Sequence, residues 1–281
     1  PKEAGFITLV GANDVQVKQG RAFVTAGKAG LFILDVSQPA SIRPLYHLEP
    51  GGSAGGVALF TPRPLKPLPP RWQANIEERR AYPQDEIYRV YVAAGDNGVV
   101  EYEINAYQSP RKIQEYDTPG NAVKVLVKNY WMYVADGKNG VCMLDLFQGN
   151  LESELICKDT PGDARDVFVH RGTILVADGE RGLRLLAPAD DPTNALEIGG
   201  FDTFGFAQSV WASRDLAYVA DGNLGLWVID LSNPNNLRMR TYIEPPGEAD
   251  PYRLYLSLLY PELWSTGAAE TWKNLGIYSV F

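Results

Sequence analysis

Three aspartates, Asp136, Asp178 and Asp221, each stand inside the same tetrapeptide, VADG, and a carboxylate written repeatedly into identical turns first suggests calcium. A calcium loop of the helix–loop–helix type needs oxygen ligands at alternate positions and a closing glutamate. DGKNG, DGERG and DGNLG offer one acid or two each. These aspartates are therefore read as fold-specifying, each capping its own turn by accepting from nearby backbone N–H groups. The only histidines, His47 and His170, fall in different repeats and make a poor metal or acid–base set. No GxSxG elbow, P-loop, CxxCH haem site, or GxGxxG following a strand and opening a helix occurs, so nucleophilic and cofactor chemistry lack support and no cofactor is expected.

What positions these turns is a repeat. VTAG at 24–27 and VAAG at 92–95 join the three VADG copies, and the turn glycines Gly27, Gly95, Gly137, Gly179 and Gly222 are spaced by 68, 42, 42 and 43 residues. An upstream alanine series, Ala12, Ala54, Ala122, Ala164, Ala207 and Ala249, is spaced by 42, 68, 42, 43 and 42. Both series place 26 extra residues in the second unit, and the second series adds a sixth unit whose turn is STG at 265–267.

Each unit reads strand–turn–strand with period 2. In the fourth, ARDVFVH (164–170), TILVA (173–177), LRLLA (183–187) and LEIGGF (196–201) are four short strands, with glycine where a hairpin needs positive φ. Units of about 40–45 residues with four strands are the signature of a β-propeller. The expected fold is all-β, one six-bladed β-propeller domain over 1–281. GFITLV (5–10) is expected to be the strand that completes the last blade beside GIYSVF (276–281), removing open edges.

Propeller enzymes draw on the inner strands, here the residues just after each alanine. Asp14, Asp166 and Asp250 could converge on a cation there, with Lys124 and Arg165 as candidates to neutralise them. The equivalent positions otherwise mix apolar, basic and amide groups, and a metal ring would repeat acids or histidines.

MYVADGKNGVCMLDL (132–146), AYVADGNLGLWVIDLSNP (217–234) and LFILDVSQP (31–39) resemble the LVIVD-repeat family of β-propellers, most clearly in the first, third and fifth units. The second unit departs with EYEINA, the fourth with APADDP, and the sixth lacks both motifs. The resemblance implies an exported or surface-associated protein, extracellular or periplasmic, and it brings no catalytic residues.

Cys142 and Cys157 lie on the third and fourth strands of the third unit. If Gly149-Asn150 is a two-residue turn, facing positions sum to 299, as 142 and 157 do, which puts the pair within disulfide reach. A longer loop, as other units use, would separate them by a register slip. A bond would favour an oxidising compartment.

With net charge -8, pI near 4.9 and dispersed Lys and Arg, nucleic acid is not an expected partner. No apolar run approaches a membrane span. No leader is visible ahead of the first unit, which is compatible with a removed signal peptide or a trimmed start.

The insertion, residues 61–87, is rich in proline, which keeps it out of a sheet and extended. It interrupts the first turn of the second unit and projects from the face opposite the VADG turns, where a long loop on a rigid scaffold is a common binding device. Arg71, Trp72, Arg79, Arg80 and Tyr82 are its docking candidates, and Trp272 in the sixth unit is a further one. The alternative for the insertion is a loop folded back over its own propeller.

The leading expectation is a non-catalytic interaction scaffold binding another protein. The alternatives are a channel-based metal-assisted hydrolase or lyase and a glycan-binding module, the latter requiring Trp72, Trp211, Trp227 and Trp272 to be exposed together.

Overall fold

A computed structural model of the chain describes residues 5–61, 88–105, 108–146, 155–189 and 194–243. These residues build five four-stranded antiparallel sheets, or blades, each a meander in chain order. Blade 1 holds β1 (Asp14–Lys18), β2 (Arg21–Thr25), β3 (Leu31–Asp35) and β4 (Arg43–Leu48); blade 2 holds β5 (Val57–Phe60), β6 (Tyr88–Ala93), β7 (Val99–Asn105) and β8 (Gln108–Tyr116). Blade 3 holds β9 (Lys124–Lys128), β10 (Trp131–Ala135), β11 (Val141–Asp145) and β12 (Ile156–Lys158). Blade 4 holds β13 (Asp166–His170), β14 (Thr173–Ala177), β15 (Leu183–Ala187) and β16 (Leu196–Phe201), and blade 5 holds β17 (Ser209–Ser213), β18 (Leu216–Ala220), β19 (Leu226–Asp230) and β20 (Arg238–Ile243).

Alternation along each strand sends side chains to two faces, and both faces of an internal blade are apolar because both are covered. Phe23, Leu31 and Ile33 of blade 1 meet Val57, Val90 and Tyr102 of blade 2. The next interface joins Ala58, Tyr91 and Val99 to Val125, Met132 and Val134, and the third joins Tyr133, Val141 and Met143 to Val167, Val169 and Ile174. The fourth closes Leu175, Leu183 and Leu185 over Val210, Val219 and Trp227. Successive inner strands lie side by side, β1 against β5, β5 against β9, β9 against β13 and β13 against β17.

The two repeat markers turn out to touch. Gly27 bridges Ala54, Gly95 bridges Ala122, Gly137 bridges Ala164 and Gly179 bridges Ala207, so each turn glycine joins its blade to the alanine that opens the next. In the first pair Gly27 N–H donates to Ala54 C=O at 3.0 Å and Ala54 N–H donates to Gly27 C=O at 2.9 Å. The motif therefore recurs because it closes a hairpin and welds neighbouring sheets through obligatory backbone groups.

One expectation is corrected. Residues 5–10 form no strand, and Phe6 and Val10 are largely exposed. A strand acquires its geometry from a ladder partner, and residues 5–10 have none among the described residues. The partner expected for them, GIYSVF, and the whole sixth unit lie outside the described residues, as do residues 62–87 of the insertion. Among the described residues no helix is long and apolar enough to cross a membrane.

Candidate functional site

The inner ring is where a propeller would assemble chemistry, and its charges are engaged with one another. Asp14, the first residue of β1, accepts the backbone N–H of Val57 in blade 2 at 2.9 Å and the Lys124 ammonium of blade 3 at 2.7 Å. Asp166, the first residue of β13, repeats the arrangement between blades 4 and 5. Its Oδ2 accepts from Ser209 Oγ at 2.6 Å and from Val210 N–H at 3.0 Å, both in blade 5. Burial pushes the Asp166 carboxyl above the usual range, against the hydrogen bonds from Ser209 and Val210 and the attraction of Lys124. Arg165 lies 3.6 Å from Asp163 and over the Phe206 ring.

Asp14 and Asp166 thus each tie one inner strand to the next. Among the described residues no group of three acidic, histidine or cysteine side chains is placed to hold a metal ion. Asp250 lies outside the described residues.

The turn aspartates are structural in a way the sequence reading misplaced. Each reaches back from its own turn to the loop that enters its blade. Asp136 accepts from Thr118 Oγ1 at 2.6 Å and Gly120 N–H at 2.8 Å. Asp178 and Asp221 accept from Thr160 and Thr203, each at 2.6 Å. All three aspartates are buried, and burial raises their carboxyls, that of Asp221 to about 7.

The signal for these partners was present in TPG at 118–120, TPG at 160–162 and TFG at 203–205, each threonine 18 residues ahead of its aspartate. The second unit has Pro50 and Ala94 at the two positions and so lacks both members of the pair.

His47 stacks on Phe32 and contacts Ala29 C=O, while His170 contacts Arg214 C=O in the next blade. Cys142 and Cys157 stand directly opposite on β11 and β12 and form a disulfide, which pins the shortest outer strand. The turn between those strands lies outside the described residues.

Sequence reasoning missed a half-buried ionic cluster in blade 2. The Arg89 guanidinium lies 3.2 Å from Glu101 and 2.6 Å from Glu103, and Tyr116 donates to Glu101 at 2.6 Å. Burial and the neighbouring Glu101 raise the Tyr116 phenol and keep it a donor. The cluster explains EYEINA, because carboxylates replace the usual apolar residues only where partners meet them.

Of the docking candidates, Arg71, Trp72, Arg79, Arg80, Tyr82 and Trp272 lie outside the described residues. Trp227 is fully buried and Trp211 is half-exposed. Thr61 ends the described part of blade 2 at the edge opposite the turns, where its hydroxyl receives the Lys18 ammonium.

The model of the LVIVD repeat matches residues 11–43, 119–150 and 204–242, the first, third and fifth units. The chain carries LVIVD repeats in three of its units, and its fold is that of a β-propeller. Solved structures share this LVIVD-repeat chain's fold at low identity. The β-propeller domain of Cps50 (Swd1) from Myceliophteria thermophila is 8% identical with a TM-score of 0.57, over 85% of this chain and 74% of that one. The computationally designed Ika8 protein is 9% identical with a TM-score of 0.55, over 84% of this chain, which spans 63% of the Ika8 length. No curated protein matches the LVIVD-repeat chain in sequence.

Proposed function

We propose that this protein is a six-bladed, non-catalytic scaffold of an exported or surface-associated protein, and that it binds another protein through the insertion at residues 61–87. The observation that carries the reading is the fate of the inner-ring charges. Asp14 and Asp166 spend their carboxylates on neighbouring blades, with Lys124 between them, so the residues best placed for a channel-based hydrolase act as fasteners. The disulfide supports a compartment that is oxidising. The position of the insertion, on a rigid sheet at the edge opposite the turns, supports binding there. The buried Trp227 removes one ring from any glycan groove.

The test is affinity purification from native extract, comparing the intact chain with one in which residues 61–87 are shortened to a two-residue turn. One specific protein should co-purify with the intact chain and be lost, by tenfold or more, with the shortened chain at equal folded concentration. Equal recovery by both chains would remove the insertion as the docking element.

A further inference from the structure

The residue six positions after each turn aspartate acts on that aspartate's buried carboxyl, and it differs in every blade. It is Cys142 after Asp136, Arg184 after Asp178 and Trp227 after Asp221. Where the turn carries alanine instead, at Ala26 and Ala94, the same position is apolar, Phe32 and Val100. A carboxyl taken out of water thus meets a group able to share a hydrogen bond or a charge with it, and in blade 3 that group is a sulfur. Cys142 Sγ lies 3.7 Å from Asp136 Oδ2, and both residues are fully buried.

Cys142 is also one half of the disulfide to Cys157 on the outer strand β12. A disulfide sulfur has no hydrogen, so the contact with Asp136 changes character when the bond opens. Of the two sulfurs, that of the half-buried Cys157 is the one an attacking thiolate reaches, which makes Cys142 the leaving group. Cys142 leaves into an apolar interface with Tyr91, Val99, Val125 and Met132, where a thiolate is strongly disfavoured. A proton donor at that sulfur removes the difficulty. Asp136 is placed to be one: burial raises its carboxyl, against the hydrogen bonds from Thr118 and Gly120. Asp117 is the one other charged group acting on it among the described residues, and it raises the carboxyl further.

We propose that Cys142–Cys157 is an exchange-active disulfide, opened by a dithiol-bearing reductant that attacks Cys157 Sγ while Asp136 Oδ2 hands a proton to the departing Cys142 Sγ. The electron pair of the S–S bond goes to Cys142, and a mixed disulfide forms on Cys157. The reductant's second thiol then closes on its first and releases Cys157 as a thiol. Two electrons pass to the protein from the dithiol, which ends as a disulfide, and Asp136 regains its proton from water. Opening the bond leaves β12 held by its backbone ladder and packing alone. The step is independent of the insertion and of what binds there.

Reduction of the folded chain by dithiothreitol at pH 5 to 8, quenched by alkylation and read by mass, tests the step when rates are expressed per dithiothreitol thiolate. The parent rate constant should be highest at pH 5 and fall as Asp136 ionises and ceases to be a donor. Asp136→Asn should be slower by at least about tenfold at pH 5 and flat with pH. Asp178→Asn, the same turn in blade 4 with no disulfide beside it, should keep the parent profile. A flat parent profile would overturn the proposal even where Asp136→Asn fails to fold. So would an equal loss of rate in Asp178→Asn, which would make the effect one of general loosening.

Discussion

Gly182→Ala is expected to destabilise the protein by about 3 kcal/mol, from the left-handed backbone penalty together with clashes against neighbouring backbone. Gly182 has a φ of +68°, and a Cβ there would lie 2.3 Å from the Phe201 carbonyl oxygen and 2.6 Å from the Thr203 nitrogen. Those atoms are backbone, so they cannot swing aside. They also begin the loop that presents Thr203 to Asp221, which couples the clash to the buried hydrogen bond.

Gly172 is the control. Its φ is +78°, and an added Cβ meets nothing within 4 Å. Gly172→Ala should therefore cost only the left-handed backbone penalty, about 1–2 kcal/mol. Urea midpoints of the two variants against the parent give the comparison. Equal shifts would mean that the β14–β15 turn does not pack against the end of β16 and the loop after it as closely as the structure shows.

Raising the pH from 5 to 8 is expected to weaken the fold, the reverse of ordinary acid denaturation. Asp221 is buried, and its carboxyl is lifted to about 7 mainly by burial, with the hydrogen bond from Thr203 and the nearby Gly205 N–H and Trp227 indole opposing the rise. In the unfolded chain the same group titrates near ~3.9. A folded-state value above the unfolded one favours the protonated form. The resulting stabilisation is complete below ~4 and is lost as the pH rises through about 7.

Over pH 5 to 7 this amounts to on the order of 2 kcal/mol from Asp221 alone. Asp136, Asp166 and Asp178 are raised too and add in the same direction. Asp35 and Asp230 are lowered, by hydrogen bonds from Ser37 and Ser232, and matter only at more acidic pH. Melting temperature measured across this range should fall with pH, and Asp221→Asn should flatten the dependence. A parent protein with a flat profile would contradict the burial assigned to Asp221.

Much of the fold was legible because the repeat is written in backbone requirements. Glycine at the turn and alanine at the blade start recur at fixed distance because they bridge, and no larger side chain suits either place. The fourth unit, read as 164–170, 173–177, 183–187 and 196–201, forms strands within those bounds, since alternating β-branched residues between glycine turns have few other options.

The residues that escaped are those whose partners lie elsewhere in the chain. Thr118, Thr160 and Thr203 look like loop residues until the aspartate 18 positions later is placed over them. Lys124 gave no local sign of meeting Asp14, which lies 110 residues away across an intervening blade. The N-terminal segment forms no strand, and the edge expected to receive it lies outside the described residues. The candidate site was thus legible by position and not by role, because ring charges that fasten and ring charges that react are the same residue types.

The central claim is that the repeated turn welds each blade to the next through its own backbone. Native-state hydrogen exchange read at the amides of Ala54, Ala122, Ala164 and Ala207 tests it most directly. Each donates to the turn glycine of the preceding blade at 2.9 or 3.0 Å and should exchange as slowly as the interior amides of β10 and β14. Exchange of these four amides at the rate of exposed loops would contradict the weld.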